Sequence, residues 1–215
     1  PAGKPLRKTV ARYKEIFIIN TKLDRRRLSA EMENLKHDIK TVLITREQIA
    51  KRVREMGQQI TKDYAGKEIV LVGILKGAMP FLCDLMREID LPVILDTMVV
   101  SRYGDATTSS GLVKIKKDLD SDIRGRHVIV VEDIIDTGIT MAALTPILEK
   151  RGAASVELAI FLDKKERREK EVNVKYIGYE IPDKFIVGYG CDYAQKYRNL
   201  PEICELDNKV FAQAK

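Results

Sequence analysis

Hydrophobic positions along the chain come in two patterns, short unbroken runs and helically spaced repeats, and the two alternate. Residues 1 to about 40 are charge-dense, and only Ile16-Phe17-Ile18-Ile19 can pack there. Residues 46–65 place Ile49, Val53, Met56, Ile60 and Tyr64 at helical spacing, with Thr45 to cap the start and Gly66 to close the end. The apolar run 69–75 reads as a buried strand ending at Lys76-Gly77, and 80–89 reads as a helix. A strand is expected at 93–100, ending at Ser101, and residues 102–111 form a long polar loop of Gly, Thr and Ser. A third buried strand is expected at 128–131, then a helix at 141–150 closed by Gly152. Pro146 should kink or distort that helix, because proline lacks the backbone donor and clashes with the preceding turn. Further strands are expected at 156–162, 174–179 and 185–187, and there is no internal repeat. Strands joined by helices predict an α/β fold with a largely parallel sheet covered on both faces. In such folds, ligands bind beyond the carboxyl ends of the strands.

Length and charge refine this picture. The 215 residues suit one domain with an appendage, and no apolar run approaches the roughly 20 residues of a membrane span. The formal net charge is +6. Residues 1–27 hold nine basic and two acidic side chains, whereas the rest of the chain holds 29 and 30. The basicity therefore belongs to an N-terminal arm, and the division is 1–40, a basic extension, and 41–215, the globular domain. Nucleic acid and membrane are not expected partners of a near-neutral core. The charged N-terminus lacks the apolar stretch of a secretory signal. Cys83, Cys191 and Cys204 form no CxxC pair, and His37 and His127 stand far apart. That spacing argues against a disulfide framework or zinc site, and for a reducing, cytoplasmic setting.

The exit of the 128–131 run carries the densest chemistry. It reads Val130-Val131-Glu132-Asp133-Ile134-Ile135-Asp136-Thr137-Gly138-Ile139-Thr140. Two adjacent carboxylates leave an apolar strand, a third follows three residues on, and a Thr-Gly-x-Thr turn opens a helix. Backbone N–H groups in such a turn, with a helix N-terminus behind them, cradle an anion. Thr137 and Thr140 add hydroxyl donors, and Gly138 lets a ligand approach the backbone. A phosphate beside carboxylates points to a phosphorylated sugar, the acids holding hydroxyls or Mg²⁺. No GxxxxGK[ST] or GxGxxG is present. The plainer alternative is a capped helix after a strand with surface acids. It leaves three acids and two threonines around one turn without a purpose.

This segment resembles the phosphoribosyl-diphosphate motif of the type I phosphoribosyltransferases. Further motifs narrow the resemblance to the 6-oxopurine, hypoxanthine-guanine branch. They are Leu75-Lys76-Gly77-Ala78, Leu162-Asp163-Lys164, the stretch from Pro182-Asp183-Lys184-Phe185 through Tyr189-Gly190-Cys191-Asp192-Tyr193, and Tyr197-Arg198-Asn199-Leu200. Together they span about Val42 to Leu206, roughly three quarters of the chain. The resemblance implies the type I fold, a largely parallel twisted sheet flanked by helices, with a small hood and a mobile lid loop. It implies a Mg²⁺-dependent purine-salvage reaction in which hypoxanthine or guanine and phosphoribosyl diphosphate give IMP or GMP and pyrophosphate. A homodimer or homotetramer is implied as well.

The residues inherit roles from the same resemblance. Glu132 and Asp133 hold the ribose hydroxyls, directly or through Mg²⁺, and their charge suits a developing sugar cation. Asp136 is the general base toward the imidazole edge of the purine. Thr137, Gly138, Ile139 and Thr140 cradle the 5′-phosphate, Ile139 through its backbone N–H only, where the family often carries a polar or basic side chain. Lys76 and Gly77, at a Leu-Lys peptide that is often cis, and Arg198 hold pyrophosphate. Asp192 lies at the purine and helps hold a second Mg²⁺. Lys164, with three donors and no acceptor, pairs with a 6-oxo group and not with a 6-amino group. Phe185 stacks on the purine and the backbone at Ile186 reads its edge, although Phe185 taken alone reads more readily as core. Arg168 reads equally as a helper at pyrophosphate or as part of the solvated run 164–170. The loop 101–111 resembles the lid, which excludes water on closing, and Tyr103 matches its tyrosine. Arg102 stands where the family usually has serine, and the loop's length also fits an ordinary flexible segment.

A second class of function competes: a regulator of this fold that binds RNA through the arm. The near-neutral core and the intact Lys164, Phe185 and Asp192 set count against it. The arm reads first as an alternative start or loose extension, and otherwise as a protein-docking or oligomer contact.

Overall fold

Helical spacing, caps and unbroken apolar runs become the elements of a computed structural model, which describes residues 33, 35–102 and 113–212. The described residues divide into two compact units, one at 41–205 and one at the flanking positions up to 40 and from 206. In the flanking unit the Asp207 N–H donates to the Asp38 carbonyl at 2.8 Å, ahead of a short helix at Asn208–Ala212.

Helix α1 spans Arg46–Asp63. Thr45 caps it as expected: its hydroxyl accepts from the Gln48 N–H at 3.3 Å, and the Gln48 side chain accepts from the Thr45 N–H at 2.8 Å. Ile49, Val53, Met56 and Ile60 face inward, as their spacing predicts. Strand β1 (Ile39–Ile44) precedes the helix, and β2 (Ile69–Ile74) follows with all six residues buried. Helix α2 (Met79–Arg87) starts with Pro80 in its first turn, where a missing N–H costs nothing. Then come β3 (Val93–Arg102), β4 (Val113–Lys117), β5 (His127–Ile135), α3 (Ile139–Lys150), β6 (Ser155–Asp163), a 3₁₀ turn at Lys165–Arg167, β7 (Tyr176–Glu180), β8 (Ile186–Val187) and β9 (Ile203–Leu206).

The main sheet has the order β4-β3-β2-β5-β6-β7, and all its pairs are parallel except β3 with β4. A second sheet, β1-β9-β8, forms a small hood. Alternation within each central strand feeds two cores. Ile69, Leu71, Ile129, Val131 and Phe161 pack with α1 and α2 on one face. Val70, Val72, Val128, Val130 and Leu158 pack with Met141, Leu144 and Leu148 of α3 on the other. Burial on both faces is why these strands read as continuous apolar runs. From β2 the chain first adds β3 on one side, then β5 on the other. The crevice at that reversal opens at the carboxyl ends of β2, β5 and β6.

Several boundaries differ from expectation. β5 continues through Ile135, so Glu132 and Asp133 belong to the strand rather than to its exit. β3 takes in Ser101 and Arg102, and β4 pairs with it antiparallel although no strand was expected there. α3 begins two residues early and runs on through Pro146. β1 and β9 were likewise not anticipated.

The β3–β4 edge is anchored by a buried carboxylate. Asp96 accepts from the N–H groups of Asp120 (3.0 Å), Ser121 (2.8 Å) and Thr97 (2.7 Å) and lies 3.4 Å from the Lys117 ammonium. Burial raises its pKa, but these donors outweigh burial and hold it below the usual carboxylate value. Such a depressed group stabilises the fold above its unfolded pKa of about 3.9, and that contribution fades as pH falls through the lower folded value. Asp96→Ala should therefore lose about 2–3 kcal/mol at neutral pH, since three part-buried backbone donors lose a charged acceptor. Urea unfolding at pH 7 checks this, and the deficit should shrink in acid; an unchanged midpoint would remove the anchor role.

Candidate active site

Three strand exits and one hood loop converge on the crevice. At the end of β2 the Leu75–Lys76 peptide is cis, the configuration implied for it by resemblance. Gly77 lies against β5, and a Cβ there would run into the Asp133 carboxyl group. Gly190 (φ +101°) meets the Gly77 carbonyl just as closely, so backbone packs on backbone between the β2 exit and the hood loop 188–200. Side chains on either glycine would force these segments apart.

On β5, Glu132 has a buried carboxyl oxygen, Oε2, with no hydrogen-bond partner. Burial pushes its pKa well above the usual range, and the neighbouring Asp133 adds to the rise. Asp133 is buried, and the Cys191 thiol donates to its Oδ2 at 3.5 Å. Burial first, then Asp133, pushes the Cys191 thiol well above its ordinary value. Cys191 thus serves as a neutral donor here.

The turn 136–140 is held from behind. The N–H groups of Glu169 and Lys170 donate to the Thr137 carbonyl at 2.9 and 3.0 Å, and Arg168 Nε donates to the Asp136 carbonyl at 3.1 Å. Arg168 is also ion-paired with the buried Asp163. This places Arg168 in the support of the turn. Gly138 (φ +80°) adopts the left-handed conformation at the N-cap of α3, and its Cβ direction is filled by the Lys170 carbonyl and the Arg168 stem. The glycine is required by this packing and backbone angle, a reason distinct from close ligand approach.

Two cavities adjoin along this turn. One, of about 260 Å³, is lined by Lys76, Glu132, Asp136, Thr137, Gly138 and Thr140 among others. Ile139, the first residue of α3, keeps its side chain outside it. The other, of about 310 Å³, is lined by Asp133, Asp136, Lys164, Phe185, Ile186 and Asp192 among others. Ile134 and Asp136 border both. Lys164 is 7% exposed, and its ammonium donates to the Lys184 carbonyl at 2.5 Å. Phe185 is 42% exposed, so it is not core, and its ring meets Tyr193 edge-on at 5.4 Å. Arg198 stands outside both cavities. Its Nη1 donates to the Gly190 carbonyl at 2.7 Å, and its Nη2 lies 2.6 Å from Asp192 Oδ1. Asp192 Oδ2 accepts from the Gln195 N–H at 2.8 Å, and the Gln195 side chain accepts from Lys76 at 3.3 Å. Gln195 therefore joins Lys76 to the Asp192–Arg198 pair. Tyr189, Ala194, Gln195 and Tyr197 all have positive φ, an unusual density of strained backbone for non-glycine residues.

Among the described residues, no group of three or more His, Cys, Asp and Glu could hold a metal ion. Tyr103 and the rest of 103–112 lie outside the described residues. Gln195 carries no signal in the sequence, and Cys191 lies inside one of the family motifs but without a role of its own, because the contacts of both are set by the fold. Arg167, which also lines the second cavity, is hidden in a charged run.

Residues 43–194 match the model of a family described as the phosphoribosyl transferase domain. A hypoxanthine-guanine phosphoribosyltransferase of Streptococcus pneumoniae is 48% identical over 178 residues, 83% of this chain and 99% of that one. Its counterpart in Bacillus subtilis is 45% identical over 177 residues, 82% and 98% of the two chains. Among solved structures, a hypoxanthine phosphoribosyltransferase of Staphylococcus aureus matches with a TM-score of 0.80 at 46% identity, covering 82% of this chain and 96% of that one. The Trypanosoma cruzi hypoxanthine phosphoribosyl transferase gives 0.79 at 35% identity with the same coverage.

Proposed function

The chain belongs to the phosphoribosyl transferase family, and from this premise we propose that it transfers 5-phosphoribosyl from phosphoribosyl diphosphate to hypoxanthine or guanine. The products are IMP or GMP and pyrophosphate, a purine-salvage reaction. One observation supports this most: two adjoining cavities share Asp136, one ending on the turn at the N-terminus of α3 and the other on the buried Lys164 ammonium.

The sugar phosphate sits on the turn. Thr137 and Thr140 donate through hydroxyls, Gly138 and Ile139 through backbone N–H, and the helix N-terminus favours the negative charge. The purine lies in the second cavity against Phe185, with Ile186 backbone and Asp192 at its edge. Its 6-oxo oxygen takes a hydrogen bond from Lys164, whose bond to the Lys184 carbonyl orients the remaining two donors. A purine ring nitrogen attacks the anomeric carbon as the bond to pyrophosphate breaks, and Asp136 takes the proton from the imidazole edge. Asp136 suits that task by position, since it borders both substrates. Glu132 and Asp133 face the positive charge that grows on the sugar. Lys76, Gly77 and Arg198 receive the pyrophosphate, drawn together by the Gly77–Gly190 packing and the Gln195 link.

The donor set fits Mg²⁺. Carboxylate oxygens are hard ligands, Glu132 Oε2 lacks a partner, and Mg²⁺ commonly takes one or two carboxylates with the rest of its shell from substrate phosphates and water. Glu132 and Asp133 would hold one ion at the ribose and Asp192 would help hold a second, which would neutralise charge on the leaving pyrophosphate.

We place the enzyme in the cytoplasm as a homodimer or homotetramer, with 41–215 as its catalytic domain and 1–40 as an extension. All three cysteines are free thiols, in keeping with a reducing compartment. None of the described helices is long and apolar enough to cross a membrane. An assay with hypoxanthine, guanine, xanthine and adenine, each with Mg²⁺ and phosphoribosyl diphosphate, tests the reading. IMP and GMP should form readily and AMP barely. Robust adenine turnover, or none with any base, would overturn it.

A further inference from the structure

The 3₁₀ turn after β6 distributes its charged side chains in three directions. Lys165 pairs with Glu180 at the surface, and Arg168 pairs with Asp163 behind the phosphate turn. Arg167 alone of the three lines the second cavity, which Lys164 and Phe185 also line. We propose that Arg167 is a second specificity-determining cation for the base, acting with Lys164 at the 6-oxo edge of the purine. The inference rests on the base assignment made above.

The geometry is specific. Arg167 Nε lies 3.2 Å from Asp136 Oδ1 and Nη1 lies 3.8 Å from Asp183 Oδ1. The Lys164 ammonium is 3.7 Å from that same Asp183 oxygen. The guanidinium therefore bridges the space between the proton acceptor and the oxygen that Lys164 also approaches. On a 6-oxopurine the imidazole N–H and the 6-oxo oxygen are neighbours on one edge of the ring. A base that presents its N–H to Asp136 and its oxygen to Lys164 puts that edge against Arg167.

The contact with Asp136 does not block this arrangement. Asp136 Oδ1 is buried but makes no hydrogen bond, so the nearby Nε is a charge contact without hydrogen-bond alignment. A purine N–H can take that oxygen without breaking a formed hydrogen bond. The Arg167 side chain is about half exposed, at 49%, and is free to follow the incoming ring. A guanidinium offers five donors and no acceptor, so it welcomes a 6-oxo oxygen and opposes a 6-amino group. As Asp136 removes the proton, negative charge spreads onto the 6-oxo oxygen. Arg167 therefore binds the transition state better than the neutral base, which is the condition for raising kcat.

The test compares the unmodified full chain with Arg167→Ala and Arg167→Lys, using hypoxanthine, guanine and adenine. For Arg167→Ala, kcat/KM with hypoxanthine and guanine should fall about 10–100-fold, the loss of one hydrogen bond to a charged group. The KM for phosphoribosyl diphosphate should stay within about 2-fold and the melting temperature should shift little, because the backbone of the turn is held by Arg168, Glu169 and Lys170 and Arg167 reaches only the Asp136 side chain there. Preference over adenine should narrow by the same factor, and Arg167→Lys should restore part of it, since an ammonium donates without the planar fork. Unchanged base kinetics in Arg167→Ala would overturn the inference. So would a parallel loss of both substrates' parameters with a lowered melting temperature, which marks a structural role. If the unmodified chain forms no IMP or GMP, the base assignment fails and carries this inference with it, an outcome that needs no variant to recognise.

Discussion

Asp136→Asn is expected to lower kcat by about 10²–10⁴-fold, the usual worth of a positioned proton acceptor, while leaving the affinity for phosphoribosyl diphosphate within a few-fold. The separation follows from how the residue is held. Its side chain borders both cavities, whereas its backbone carbonyl is fixed by Arg168 Nε at 3.1 Å. The Thr137 carbonyl is fixed independently by Glu169 and Lys170. Asparagine keeps the volume and leaves those backbone bonds untouched, so the phosphate turn should stand. Single-turnover kinetics give the chemical step and calorimetric titration gives the diphosphoribose affinity. Losses of equal size in both would mean that Asp136 acts as a structural or ribose-binding carboxylate, and the general-base role would have to be withdrawn.

Lys164→Met should cost about 10²–10³-fold in kcat/KM with hypoxanthine and guanine. Two losses combine: a charge-assisted hydrogen bond to the base, and the Lys184 carbonyl left without its donor. Methionine fills much of the same volume, so the core of the cavity should survive. The stranded carbonyl should lower folding stability by about 1–3 kcal/mol. Adenine should suffer least, because it gains nothing from an ammonium at its 6-amino group, and the preference between bases should therefore narrow by about the same factor. Steady-state kinetics with the three bases, beside urea unfolding of the same samples, separates recognition from stability. If the preference survives in a folded variant, base choice is set elsewhere in the cavity.

Much of the fold was legible from local pattern. β2 and residues 128–131 of β5 are apolar at every position, and only burial on both faces allows that, so their place in a covered parallel sheet was readable from the run itself. The α1 cap was readable because Thr45 and Gln48 stand at capping-box spacing. β4 was missed although its signal was present. Val113 and Ile115 alternate with lysines, the mark of an edge strand with one wet face, and no element was expected there. The hood strands β1 and β9 are short and pair with partners distant in sequence, and no local pattern encodes such a pairing.

The chemistry divides in the same way. The motif from Glu132 to Thr140, the position of Lys164 after an apolar strand, and the basic arm apart from a near-neutral core are properties of residue order, and the sequence alone determined them. Which side each charge takes was decided only by tertiary structure. Arg167 and Arg168 are adjacent and chemically identical, yet one lines the cavity of Lys164 and Phe185 and the other is locked behind the turn 136–140 by Asp163. The 3₁₀ turn sends consecutive side chains in different directions, and the buried carboxylate of β6 selects which one it pairs with. Gly77 and Gly190, more than one hundred residues apart, bring the β2 exit and the hood loop together by backbone contact. Long-range packing of that kind leaves no trace in local composition, because it depends on two segments meeting in space.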